Sequence, residues 1–125
     1  MGEKFHALSG YAKFSTYDPD VMAKSCRALM RTDTGLLLVG ERAMIGCIVF
    51  PLFMAQETVA QELFWWSETP GVGRDLLNVA EHWAKTSGAK VLLMLALESN
   101  EADRVETIYR RRGYETAERS YMKVL

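Results

Sequence analysis

The sequence predicts an α/β fold, a mixed and twisted sheet with helices on both faces, and three observations carry that reading. The hydrophobic pattern alternates along the chain between a helical period and a strand period. Residues 90–97 (KVLLMLAL) are almost unbroken in apolarity, as expected of an inner strand buried on both faces. Ahead of them, residues 73–87 place Leu76, Leu77, Ala80, Trp83 and Ala84 on one helical face, the pattern of a crossover helix that returns the chain to a parallel neighbour. With 125 residues, 49% hydrophobic and 25% charged, residues 1–125 are read as one globular domain.

Each element has its own signal. Asp18 and Asp20 flank Pro19 ahead of VMAKSCRALMR, an N-cap and first-turn proline opening an amphipathic helix that ends at 32–35. Residues 35–41 (GLLLVGE) and 44–53 (MIGCIVFPLF) are apolar runs rich in branched side chains. Arg42 and Ala43 separate them, which predicts a hairpin, and Pro51 predicts a bulge or an edge late in the second run. A third strand over 59–66 (VAQELFWW) stops at SETPGVG. Its alternation puts Glu62, Phe64 and Trp66 on one face and Leu63 and Trp65 on the other. Gly88 ends the crossover helix. After the 90–97 strand, Ser99 or Asn100 caps a last helix that turns Ala102, Val105, Ile108 and Tyr109 inward and has Gly113 just past its end. Residues 114–125 close the chain as one strand or a short hairpin, giving a sheet of about six strands.

Composition excludes several functions. Fifteen Lys and Arg against sixteen Asp and Glu leave a formal charge of -1, so no overall positive field exists to hold a nucleic acid. Cys26 and Cys47 stand alone, in a helical and a strand pattern, with only His6 and His82 as nitrogen ligands; they read as buried thiols, and no metal site can be assembled. No apolar leader opens the chain, and its longest apolar stretch, 45–55, is about half a membrane span and contains Pro51. A soluble, cytoplasmic protein is expected, away from membranes, with a homodimer left open.

The element order, together with GVGRDLLNVAEHWAKTSGAKVLLM and YRRRGYETAERSYMKVL, resembles the GNAT superfamily of acetyl-CoA-dependent N-acetyltransferases. About sixty residues, 62–123, carry the resemblance. Gly71-Val72-Gly73 followed by Leu76-Leu77 is similar to the family's glycine loop and the helix it opens. Tyr109-Arg110-Arg111-Arg112-Gly113-Tyr114 is similar to its Y-x-x-x-G-F/Y motif. The small size, the Trp-rich third strand and the ending ERSYMK are most similar to compact members of the kind phages encode.

The resemblance implies acetyl-CoA as co-substrate and a primary amine, on a small molecule or a protein, as acceptor. Its diphosphate would meet Gly71, Val72, Gly73 and Arg74, where backbone N–H groups at a helix N-terminus favour an anion and Arg74 adds a cation. Trp66 and Ser67 occupy the strand end whose backbone, in the family, pairs with the pantetheine amides. Asn100 would reach the pantetheine or acetyl carbonyl, or else cap the following helix. Tyr109 corresponds to the family's acid, a phenol that protonates the leaving thiolate. Glu62, a carboxylate within an apolar strand, is the candidate base. One departure stands out: an ungapped placement puts Glu68 at the position of the family's Arg or Gln, where an acid would repel a diphosphate, and a gapped placement instead leaves the loop several residues short, so that either way the usual Arg is missing. The rival expectation is therefore a GNAT-like fold kept as a protein-binding module without chemistry.

Overall fold

Four helices and four strands make up the computed structural model, which describes all 125 residues. In chain order they are α1 (Gly2–Leu8), a short 3-10 turn (Gly10–Lys13), α2 (Pro19–Met30), β1 (Gly35–Gly40), β2 (Ala43–Pro51), β3 (Thr58–Ser67), α3 (Val72–Thr86), β4 (Ala89–Leu93) and α4 (Ala102–Arg111). The chain divides into two compact units, Asp18–Leu95 with Met1, and Gly2–Tyr17 with Ala96–Leu125.

The first unit holds the whole sheet, in the order β1-β2-β3-β4. Asp18 opens α2 as its spacing predicts, its carboxylate accepting the N–H groups of Asp20 and Val21 at 2.9 and 3.1 Å. β1, β2 and β3 form an antiparallel meander, and β4, reached through α3, lies parallel to β3, as predicted for the crossover. The core sits between α3 and one sheet face, where Leu77 and Ala80 pack on Ile45 and Cys47 with Leu36, Leu38, Trp65 and Leu92 around them. On the other face, Phe64 lies across Gly46, where any Cβ would run into its ring, and Leu29 of α2 packs over Gly35. Helices thus cover both faces.

Two expectations about strands fail. The 90–97 run pairs only through Leu93, because the chain leaves the ladder there and the Leu95 N–H turns to a side chain of β3 instead. Residues 114–125 form no strand, and the sheet has four strands rather than six. Every residue from 115 to 125 is exposed, so that segment has no buried face to repay a strand's ordering.

In the second unit the N-terminal residues, which carry no helix signal in the sequence, form α1 and the 3-10 turn. His6 Nε2 lies 2.9 Å from Ser15 Oγ, and its ring sits by Tyr17. α4 ends in a complete Schellman motif: the Gly113 N–H donates to the Arg110 carbonyl, and the Tyr114 N–H to the Tyr109 carbonyl at 3.0 Å. Gly113 takes φ +86, which a side chain would strain, and the Tyr109 and Tyr114 rings close the motif with centroids 5.4 Å apart.

Candidate functional site

A fork between the two parallel strands is the first feature of the site, and of the predicted residues it holds Glu62. β4 pairs with Thr58–Gln61 of β3 and stops, while β3 runs on to Ser67. Glu62 stands where the strands part. Its Oε2 accepts the Leu95 N–H at 2.9 Å, so a side chain takes the place of the next ladder bond.

Strand alternation misplaces this carboxylate. A β-bulge interrupts the pairing of β2 with β3: Gly46 faces Phe64 and Cys47 faces Glu62, leaving Leu63 as the extra residue. The bulge brings Glu62 onto the α3 face with Trp65 and leaves Phe64 and Trp66 on the opposite one, where simple alternation groups Glu62 with Phe64 and Trp66. Glu62 is 2% exposed. Burial pushes its pKa from 4.5 up to about 7, against a smaller lowering by the Leu95 N–H. Cys47, opposite it, is fully buried, and desolvation followed by the Glu62 charge pushes its thiol up to about 12. Cys47 is an inert buried thiol as expected, whereas Cys26 on α2 is only half-buried.

The second feature is the corner between β3 and α3. Gly71 is the helix N-cap with φ +85, a conformation that suits glycine, and it has no side chain to cap the helix. The first helical bond there runs from the Asp75 N–H to the Gly71 carbonyl, so the N–H groups of Val72, Gly73 and Arg74 are left without helical acceptors. Gly73 serves packing: a Cβ there would come within 2.6 Å of the Ser67 Cβ, and the Trp65 indole N–H donates to the Gly73 carbonyl at 3.0 Å. Helix and strand end are therefore locked together. Ser67 Oγ donates to the Thr69 carbonyl at 2.9 Å, bracing the same loop.

Glu68, the residue at odds with anion binding, is not left bare. Arg42 from the β1–β2 turn forms an ion pair with it, Nε lying 2.8 Å from Oε2, and the Trp66 indole N–H donates to Oε1 at 3.2 Å. The Glu68 N–H also donates to the Arg42 carbonyl. Arg42 takes φ +51, uncommon for a side-chain-bearing residue, and nothing local in the sequence marks it for this role. The loop's acidic charge is thus matched by a cation 26 positions upstream.

The remaining predicted residues belong to the other unit. Tyr109 is 7% exposed on α4. Asn100 is exposed and makes no cap: the N-cap of α4 is Glu101, whose N–H is taken by Ser99 Oγ at 3.3 Å. Arg110 pairs with Glu106 at 3.3 Å along the exposed helix surface. No group of three or more His, Cys, Asp or Glu is arranged to hold a metal, and no helix is long and apolar enough to cross a membrane.

No protein-family model matches the chain, and no curated protein matches it in sequence. Solved structures do match in shape. A transcriptional regulator from Bacillus halodurans C-125 superposes with a TM-score of 0.71 at 15% identity, over 91% of this chain and 83% of that one. An aminoglycoside antibiotic 6′-N-acetyltransferase from Acinetobacter haemolyticus gives 0.69 at 15% identity, over 99% and 89%. A GNAT family acetyltransferase from Staphylococcus aureus gives 0.62 at 15%, over 96% and 87%. At such identities the likeness shows the fold, and the chain has the mixed α/β fold of the GNAT acetyltransferases.

Proposed function

We propose that the protein transfers an acetyl group from acetyl-CoA to a primary amine by direct attack. The observation that carries this reading is the forked pair of parallel strands with a buried carboxylate, Glu62, at the fork, at the far end of which the same strand meets an uncapped helix N-terminus. Acetyl-CoA supplies the acetyl thioester. The N–H groups of Val72, Gly73 and Arg74 fit its diphosphate, since they lack acceptors, and the space around Gly71 is open, with nothing within 4 Å of where its Cβ would stand. Trp66 and Ser67 would present strand backbone to the pantetheine arm. Asn100, exposed and uninvolved in capping, is free to meet it as well. Arg42 offsets Glu68, which removes the main electrostatic objection to anion binding.

An attacking amine must lose a proton, and a base with a pKa of about 7 is suited to take it at neutral pH; Glu62 has that property. Tyr109 is the group assigned to protonate the departing thiolate. Both members of the chemistry, with the single domain over 1–125, belong to this proposal.

Calorimetry on the purified protein tests the binding half. Acetyl-CoA is expected to bind with measurable heat and to raise the melting temperature, and Arg74→Glu to weaken binding roughly 10-fold by placing an anion at the helix N-terminus. Absence of heat and of thermal stabilisation at millimolar acetyl-CoA would favour the protein-binding reading instead. One observation supports that rival: Phe53 and Met54, at the tip between β2 and β3, are 99% and 85% exposed.

A further inference from the structure

β1 is a terminal strand of the sheet, and its sequence does nothing to protect its free edge. Gly35–Gly40 (GLLLVG) contains no charge and no proline, and the pairing of β1 with β2 has no bulge. Lysines, prolines and bulges are the devices that usually keep an edge from pairing. The hydrogen bonds show which groups are available. The Val49 N–H donates to the Thr34 carbonyl at 2.8 Å, which sets the phase of the antiparallel ladder: Thr34 and Val49 stand at a hydrogen-bonded position, with the Thr34 N–H itself donating to Thr32 Oγ1. By the register Gly35↔Ile48, the next such pairs are Leu36 with Cys47 and Leu38 with Ile45. Leu37 and Val39 therefore direct both N–H and C=O away from β2, and the Val39 side chain is 65% exposed beside them.

We propose that a second copy of this chain joins the sheet along this edge, antiparallel, with the two-fold axis through Leu38. In that register Leu37 of each copy exchanges both backbone hydrogen bonds with Val39 of the other, and every outward donor and acceptor of the two residues is satisfied. A copy is the fitting occupant because the edge is self-complementary: the same two residues supply and receive, as an isologous interface requires. Charge agrees. α2, which packs on β1, has Asp20 in its first turn and Arg27 in its last, and the two-fold runs the two α2 helices antiparallel, turning opposite signs toward each other. The result is one continuous eight-stranded sheet, two copies of the four found here. This assembly is independent of the acetyl-transfer reading.

Sedimentation across a concentration series tests it. The wild-type protein should dimerise at micromolar concentration. Val39→Pro removes an N–H that points outward and leaves the β1–β2 ladder intact, so it should weaken the dimer by roughly 10- to 100-fold with the melting temperature of the monomer unchanged. Val39→Lys, a charge on the edge, should act in the same direction. Leu38→Cys tests the register: facing Cα atoms at a non-hydrogen-bonded pair lie within disulfide reach, so mild oxidation should link the two copies, whereas Leu36→Cys should not link. A wild-type protein that stays monomeric overturns the proposal, and so does a dimer that survives both Val39 variants or fails to cross-link at Leu38→Cys.

Discussion

Glu62→Gln is expected to yield a protein that is more stable than the wild type above pH 7 and far slower at acetyl transfer. The stability arm follows from linkage. Glu62 has a pKa of about 7 in the folded chain against 4.5 for an ordinary carboxyl. Below 4.5 the side chain is neutral in both states and contributes no penalty. Between 4.5 and about 7 the unfolded chain gives up its proton while the folded chain retains it, so stability falls as pH rises. Above that window both states are ionised, and the folded one carries a buried charge whose cost is about 3 kcal/mol. Glutamine carries none, and its side-chain oxygen can still accept the Leu95 N–H. Urea unfolding should find the two proteins alike in acid and the variant more stable by that amount in mild alkali.

The activity arm runs the other way, because a neutral amide cannot accept a proton. Turnover should fall by roughly 10²- to 10⁴-fold, and the wild-type rate should climb through about pH 7 and level off. A variant of unchanged turnover would remove Glu62 from the chemistry, and one no more stable in alkali would show that the carboxylate is not held against ionisation.

Tyr109→Phe separates a phenol that donates a proton from a ring that holds a helix end. The ring packs against Tyr114 in the Schellman motif, and phenylalanine preserves that contact. Stability should therefore change by about 1 kcal/mol or less, the scale of one hydrogen bond. Turnover should fall by ~10- to 10⁴-fold with acetyl-CoA affinity nearly intact, as expected when an interaction used only in the transition state is lost. Retained turnover would withdraw the acid role. Loss of folding would mark Tyr109 as a structural aromatic alone.

Much of the architecture is legible in the sequence because it is written in local signals. Asp18-Pro19 at the start of α2, the period of α3 and the glycines that follow α3 and α4 all act within a few residues of where they are read. The bulge at Leu63 is not, since QELFWW contains no glycine or proline to mark it, and one inserted residue suffices to reverse which side chains share a face with Glu62. The Arg42–Glu68 pair and the Leu95 N–H on Glu62 span 26 and 33 positions and depend on the sheet having formed. α1 is seven residues long, and the sequence shows no capping signal for it. The terminal strand is the opposite error: pairing needs an edge and a face to bury, and local pattern cannot supply either.

The Schellman motif at the end of α4 gives Tyr109 a position held by peptide geometry. The ring stands on the carbonyl-bearing residue that receives the Tyr114 N–H, so the backbone of Gly113 and Tyr114 fixes where that Cα sits. Arg110 and Arg111 between them are exposed and can be exchanged for other helix-forming residues without displacing it. The Cα of Tyr109 thus rests on one left-handed glycine and two amides, and the contact with the Tyr114 ring then holds the phenol. A designer moving this tyrosine into a different helix would carry over the main chain from Tyr109 to Tyr114 together with the Tyr114 ring that packs on it.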